Sequence, residues 1–241
     1  MSKYTIKRVH GRRVWDSRGR PTVEVDVTLR YGASGRAIAP AGASTGSGEA
    51  VEHRDGGEAF GGRDVQGAVA AINTEIHIAL KGTDVRDQEE IDSLLRELDG
   101  TENKSRLGGN ALIATSMAVL HAAAAAEKIP LWQYLGPLLG HSDGNVLPLP
   151  EIQILGGGAH AAGRVDIQDF MVIAVGASSF AEALDWTAEV YRAAGTLLSE
   201  SGRLQGVADE GGFWPAFSSN EEGLDVLISA IEKSGRTPGQ D

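Results

Sequence analysis

From residue 4 to residue 40 apolar and polar positions alternate. Thr22, Val23, Glu24, Val25, Asp26, Val27, Thr28 and Leu29 put valines on one face and acids on the other, the period of two of a half-buried strand. Turn signals at Tyr31-Gly32 and Ser34-Gly35 predict an antiparallel meander that ends near Ile38. A glycine-rich polar stretch, Ala41 to Gly48, follows. It is too poor in side chains to pack a core and long enough to act as a functional loop. Over 64–80, 88–98 and 109–127 the apolar spacing changes to three and four, which predicts three helices. Asp87 is the expected N-cap of the second and Asn110 of the third.

The pattern changes again after Gly136 and a linker region containing Pro, Gly, Ser and Asp. Short apolar runs at 146–150, 169–175 and 204–207 alternate with helical stretches at 179–199 and 220–234. The second run is nearly continuous, as for a strand buried on both faces, and the alternation predicts the start of a βα architecture. No repeat of fixed period is present, and the alanine run at 122–126 is the one low-complexity segment.

Length and composition bound what this architecture can do. The chain has 241 residues, 41% hydrophobic and 23% charged, enough for one large domain or two modest ones with a buried core. Thirty-three acidic residues against 22 basic ones set the formal charge at −11, which argues against nucleic acid or an anionic membrane as a general partner. Any anionic ligand must be held by local cations, metals or helix N-termini. The absence of cysteine excludes disulfides, thiolate metal sites and a cysteine nucleophile, and makes the cytoplasm the default compartment. The N-terminal residues lack the apolar run of a signal peptide. The tract 111–127 is interrupted by Ser116 and His121 and reads as a buried or half-buried helix, so no membrane insertion is expected.

Three polar clusters fall where loops meet strands: 41–48, 156–169 and 208–215. In a βα layout such loops converge on one site although they are far apart in sequence. Asp209-Glu210-Gly211-Gly212 closes an apolar run and offers paired acids that can divide into an ionised group and a general acid, or can be a solvated acidic turn. His160 stands among glycines and alanines and is expected to be mobile. Gln168 and Asp169 head the apolar run at 169–175, where alternation sends them to opposite faces unless a bulge intervenes. Ser44 and Thr45 could supply oxygens to a hard cation. Phosphate-loop, dinucleotide, zinc-protease and nucleophile-elbow motifs are all missing.

Five strings taken together are more specific than any single residue: Asp16-Ser-Arg-Gly-Arg-Pro-Thr-Val-Glu24, Gly42-Ala-Ser-Thr-Gly46, Leu98-Asp-Gly-Thr-Glu-Asn-Lys-Ser105, Gly157-Gly-Ala-His-Ala161 and Asp209-Glu-Gly-Gly-Phe213. In this order the chain resembles the enolase family from about residue 3 to its last residue. The resemblance implies an α+β capping domain over 1–137, followed over 146–241 by the beginning of an incomplete α/β barrel of the TIM-like, enolase type. It also implies a hydro-lyase of glycolysis that dehydrates 2-phosphoglycerate to phosphoenolpyruvate with Mg2+, acting as a homodimer on a small phosphorylated substrate. By the same likeness Glu210 matches the general acid, Gln168 the substrate-binding glutamine, His160 a loop histidine that closes over substrate, and Ser44 a loop ligand of a second magnesium. Asp169 stands where the family has a substrate-site glutamate, and Gly156 where it has asparagine. Arg12 and Glu24 match residues that pair across the family's subunit interface. The family's three acidic metal ligands, lysine base and phosphate-gripping arginine match nothing in this sequence, so the chain alone is expected to be inactive. The departures at Gly156 and Asp169 leave open a related phospho- or phosphono-substrate, and the missing groups leave open a non-catalytic binding module.

Overall fold

The computed structural model describes residues 2–42, 45–140 and 146–241. The chain divides into two compact units, Met1–Gly144 and Asn145–Asp241.

In the first unit, β1 (Ile6–Trp15), β2 (Pro21–Leu29) and β3 (Ser34–Ile38) form an antiparallel sheet in that spatial order. The predicted alternation holds in the central strand. Val23, Val25 and Val27 are fully buried, while Glu24 and Asp26 lie on the other face, gripped by Arg12 and Arg36. Arg12 Nε donates to Glu24 Oε1 at 2.6 Å, so these two residues pair with each other inside one chain. The β1–β2 turn is closed by Asp16, whose Oδ1 accepts from the backbone N–H groups of Arg18 and Arg20 at 2.9 and 2.8 Å.

Helices cover the apolar face of the sheet. The first predicted helix is a continuous run in three parts, α1 (Gln66–Ala71), a π turn (Ile72–Ile76) and α2 (His77–Leu80). The π turn presents Asn73 to the outer edge of β1, where its amide accepts from Gly11 N and donates to Gly11 O. His77 Nδ1 accepts from Val9 N one turn on. These side chains satisfy strand-edge groups that would otherwise be open for pairing. Next come α3 (Gln88–Asp99), α4 (Gly109–Glu127) and α5 (Leu131–Leu138). Asp87 caps α3 as expected, accepting from Glu90 N at 3.1 Å. Asn110 does not cap α4. It lies inside the helix, and its amide accepts from His53 N and donates to His53 O. An asparagine in the first turn of a helix serves neighbouring backbone as readily as its own.

Helix α4 has the length and apolarity of a membrane span, but two-thirds of it is buried within this unit. Its small residues let β3 approach closely. A Cβ on Gly35 would overlap the backbone nitrogen of Ala122 and the carbonyl oxygen of Ala118, so this contact is open only to glycine.

The second unit is built on β4 (Glu151–Gly156), β5 (Asp169–Ile173), β6 (Leu204–Val207) and β7 (Phe213–Pro215), ordered β5-β4-β7-β6. Helices α6 (Phe180–Glu200) and α7 (Asn220–Lys233) provide the rest of its core, around Leu155, Phe170, Val190, Leu198 and Leu227. Both begin with reciprocal caps. Ser179 accepts from Glu182 N while Glu182 accepts from Ser178 N, and Ser219, Glu222 and Ser218 repeat the arrangement.

Three expectations change here. The run 146–150 forms no strand, and Val146 is 87% exposed, because Pro148 and Pro150 have no N–H to give a ladder. The strand follows them as β4. The run at 169–175 is buried on one face only: Phe170 is inside, whereas Met171 and Ile173 are more than two-fifths exposed. The sheet is also mixed, since β4 pairs parallel with β7 alone and antiparallel with β5.

Candidate functional site

The three segments 156–169, 208–215 and β4 meet at one end of the second unit's sheet. Strand β4 ends at Gly156 and turns through a 3-10 helix, Gly158–Ala161. Gly157 N donates to Gln168 O at 2.6 Å and Gly158 N to Val165 O at 2.9 Å, which folds the loop back on itself. A Cβ on Gly157 would overlap the carbonyl oxygen of Ile167. The loop therefore delivers Gln168 and Asp169 beside His160.

His160 is buried rather than exposed on its loop. Its side chain is 2% exposed, and Nδ1 lies 2.6 Å from Asp209 Oδ1. With Nδ1–H directed at that carboxylate, Nε2 holds the lone pair of the neutral ring. Nε2 is buried, has no hydrogen-bond partner, and sits 3.5 Å from Glu210 Oε1. The Asp209-Glu210 pair is thus split. The first carboxylate orients the imidazole, and the second, with a side chain 46% exposed, reaches the open side.

Gln168 and Asp169 do not diverge. Gln168 lies just before β5 and outside its pleat, so its Nε2 donates to Asp169 Oδ2 at 3.0 Å. The other oxygen of Asp169 accepts from Gln153 Nε2. Gln153 is the residue that sequence reading missed. From β4 its amide donates to Asp169, lies 3.3 Å from Glu210 Oε2, and accepts from Gly212 N at 2.9 Å. The available signal was a lone amide between Ile152 and Ile154. Tyr191 supports the same turn, stacking on Phe213 at 4.2 Å and donating to Gly211 O at 2.9 Å.

The site is acidic, and among the described residues no lysine or arginine pairs with Asp169 or Glu210. One ligand atom from each of His160, Asp169 and Glu210 lies within 4.8 Å of the others, so the three could hold a metal ion. They do not suit magnesium, which takes an octahedron of oxygens. One donor here is an imidazole nitrogen, and both oxygens of Asp169 already accept from amides. Ser44, the residue matched to the second magnesium, lies outside the described residues. Around it, Gly46 N donates to Glu49 Oε1 at 2.6 Å, and the segment from Thr45 to Glu52 lines a recess of about 470 Å³ in the first unit.

Comparison with known proteins gives the family of the chain. The family model "Enolase, N-terminal domain" matches residues 6–135, and "Enolase, C-terminal TIM barrel domain" matches 144–240. "Enolase 1" of Desulfitobacterium hafniense (strain Y51) is 51% identical over the whole of this chain. The chain spans 54% of that relative's length. With two family models covering nearly all of it and half of its residues shared with a curated enolase, the chain belongs to the enolase family.

Proposed function

We propose that this chain contributes the acid and substrate-positioning side of an enolase active site, in a glycolytic lyase that dehydrates 2-phosphoglycerate to phosphoenolpyruvate. The observation that carries the reading is the convergence of His160, Gln168, Asp169 and Glu210, drawn from two separate loops, on one partly open face. Loss of water from 2-phosphoglycerate breaks the C2–H and C3–O bonds and forms the C2=C3 bond. Hydroxide is a poor leaving group, so it departs with a proton from a general acid. Glu210 takes that role, supplying the proton from its carboxyl group, while Gln153 fixes the position of that group through Oε2. Gln168 and Asp169 present an amide and a carboxylate to the substrate, and His160, locked by Asp209, closes the inner wall. Magnesium, where it takes part, is assigned to ligands outside this cluster, and no step here runs through it. The C2 proton goes to a base other than the residues described at this site, so the 241-residue chain is not expected to turn over by itself.

The test is a chimera in which this chain is joined to the part of the Desulfitobacterium relative that it does not match. The chimera should form phosphoenolpyruvate, read by ultraviolet absorbance. Glu210→Gln should lower kcat by about 100-fold or more with KM nearly unchanged. A folded chimera without activity, or equal losses from Glu210→Gln and the surface control Glu189→Gln, would refute the assignment. Gly156 and Asp169 favour a second reading, a related phospho- or phosphono-substrate. In that case Asp169→Glu improves turnover of 2-phosphoglycerate at the expense of the native reaction.

A further inference from the structure

At one edge of the first unit, the start of β1, the end of β2 and the end of α2 line a recess of about 740 Å³. Four cations line it: Lys7, Arg8, Arg30 and Lys81. None has a carboxylate partner among the described residues, whereas Arg12, Arg13, Arg36, Arg54 and Arg86 of the same unit each grip an acid. In a chain of formal charge −11, four unneutralised cations facing one hollow repel each other without compensation inside the protein.

The backbone is shaped to gather them. Ile6 pairs with Leu29 and Arg8 with Thr28, so Lys7 is one extra residue in β1. A regular strand would send Lys7 and Arg8 to opposite faces. The bulge instead exposes both consecutive side chains between buried Ile6 and Val9, which is the re-aiming that bulges accomplish. His77 adds a neutral donor. Its Nδ1 accepts from Val9 N at 3.2 Å, so in the neutral ring the proton is on Nε2. Tyr31, 73% exposed, flanks the opening.

We propose that this recess binds an oligophosphate chain, either free or carried by a nucleoside. Four cations drawn from three segments, with His77 in the same lining, match several linked phosphates better than one, and the recess falls within the range of about 300 to 1,000 Å³ of small-ligand sites. A long nucleic acid is disfavoured, because it would also meet the field of the strongly acidic remainder.

The experiment is isothermal titration of the 241-residue chain, without divalent metal, using tripolyphosphate and ATP as probes. Both should bind. Lys7→Glu with Arg8→Glu should weaken binding about tenfold or more, since each charge-assisted hydrogen bond lost is worth at least that factor. Arg30→Gln with Lys81→Gln, on other elements and with smaller charge change, should weaken it by a comparable factor. Arg192→Glu with Lys233→Glu, an equal charge reversal in the second unit, should not. Equal affinity for the two probes identifies the free chain as the ligand, and tighter ATP binding identifies the nucleoside-borne one. The proposal is overturned if neither probe binds at millimolar concentration, if the second-unit control loses as much as the Lys7/Arg8 variant, or if a single-stranded oligonucleotide binds more tightly than both probes.

Discussion

Asp99 ties α3 to the loop that precedes α4, and replacing it with alanine should unlock that loop. Asp99 is 2% exposed. Its Oδ1 accepts from Thr101 N at 3.0 Å and from the Thr101 hydroxyl, and its Oδ2 accepts from Leu107 N at 2.7 Å. Leu107 is itself buried, so in Asp99→Ala that N–H is stranded at a cost of about 1.5 to 3 kcal/mol, while water replaces much of what Thr101 loses. Relief from burying a charge offsets part of this. The net loss is about 1 to 2 kcal/mol, or roughly 3 to 8 °C in the melting temperature of a unit this size. The effect has a pH signature. Burial pushes the Asp99 carboxyl up, but hydrogen bonds from Thr101 and Leu107, with the Arg106 charge, outweigh it and hold the group below the usual carboxylate range. A pKa lowered by folding contributes stability that is complete above the unfolded value near pH 4 and is lost as pH falls through the folded value. The difference in melting temperature between wild type and Asp99→Ala, measured by circular dichroism, should therefore be full at pH 6 and shrink toward pH 3. A difference that stays constant or widens on acidification would refute the reasoning, as would one below about 2 °C at pH 6.

Gln153→Leu should leave the fold intact but free Gly212 N, so that this amide exchanges about tenfold faster with solvent; unchanged protection by hydrogen-exchange mass spectrometry or NMR would remove the bridging role. Gly35→Ala forces β3 away from α4 and should cost about 3 kcal/mol in chemical denaturation, whereas a loss under about 1 kcal/mol would mean the two elements are not in close contact. Limited proteolysis should cut first between Leu139 and Pro150, where Leu139, Val146, Leu147 and Leu149 are all more than half exposed, leaving a resistant piece that ends in or just after α5. Early cleavage inside α4 or α6 would contradict the division into two units.

How far local chemistry reaches is visible in particular residues. The valine alternation of β2, the Asp87 cap and the two long helices of the second unit were legible because each depends on periodicity or on a contact within four residues. The five motif strings were legible as a set, and they carried the family. The partner of a polar side chain was not legible. Asn110 looked like a cap and instead holds His53, 57 residues earlier. Gln153 carried no distinguishing pattern in the sequence, and it bridges two loops. His160 looked mobile and is buried against Asp209. The same holds for Lys7, whose place beside Arg8 depends on a bulge that no pattern of side chains announces. Hydrophobic period and capping act along the chain and can be read from it. Hydrogen-bond partners between distant segments are selected by which backbones the fold brings within 3 Å, and only the packed tertiary structure decides that.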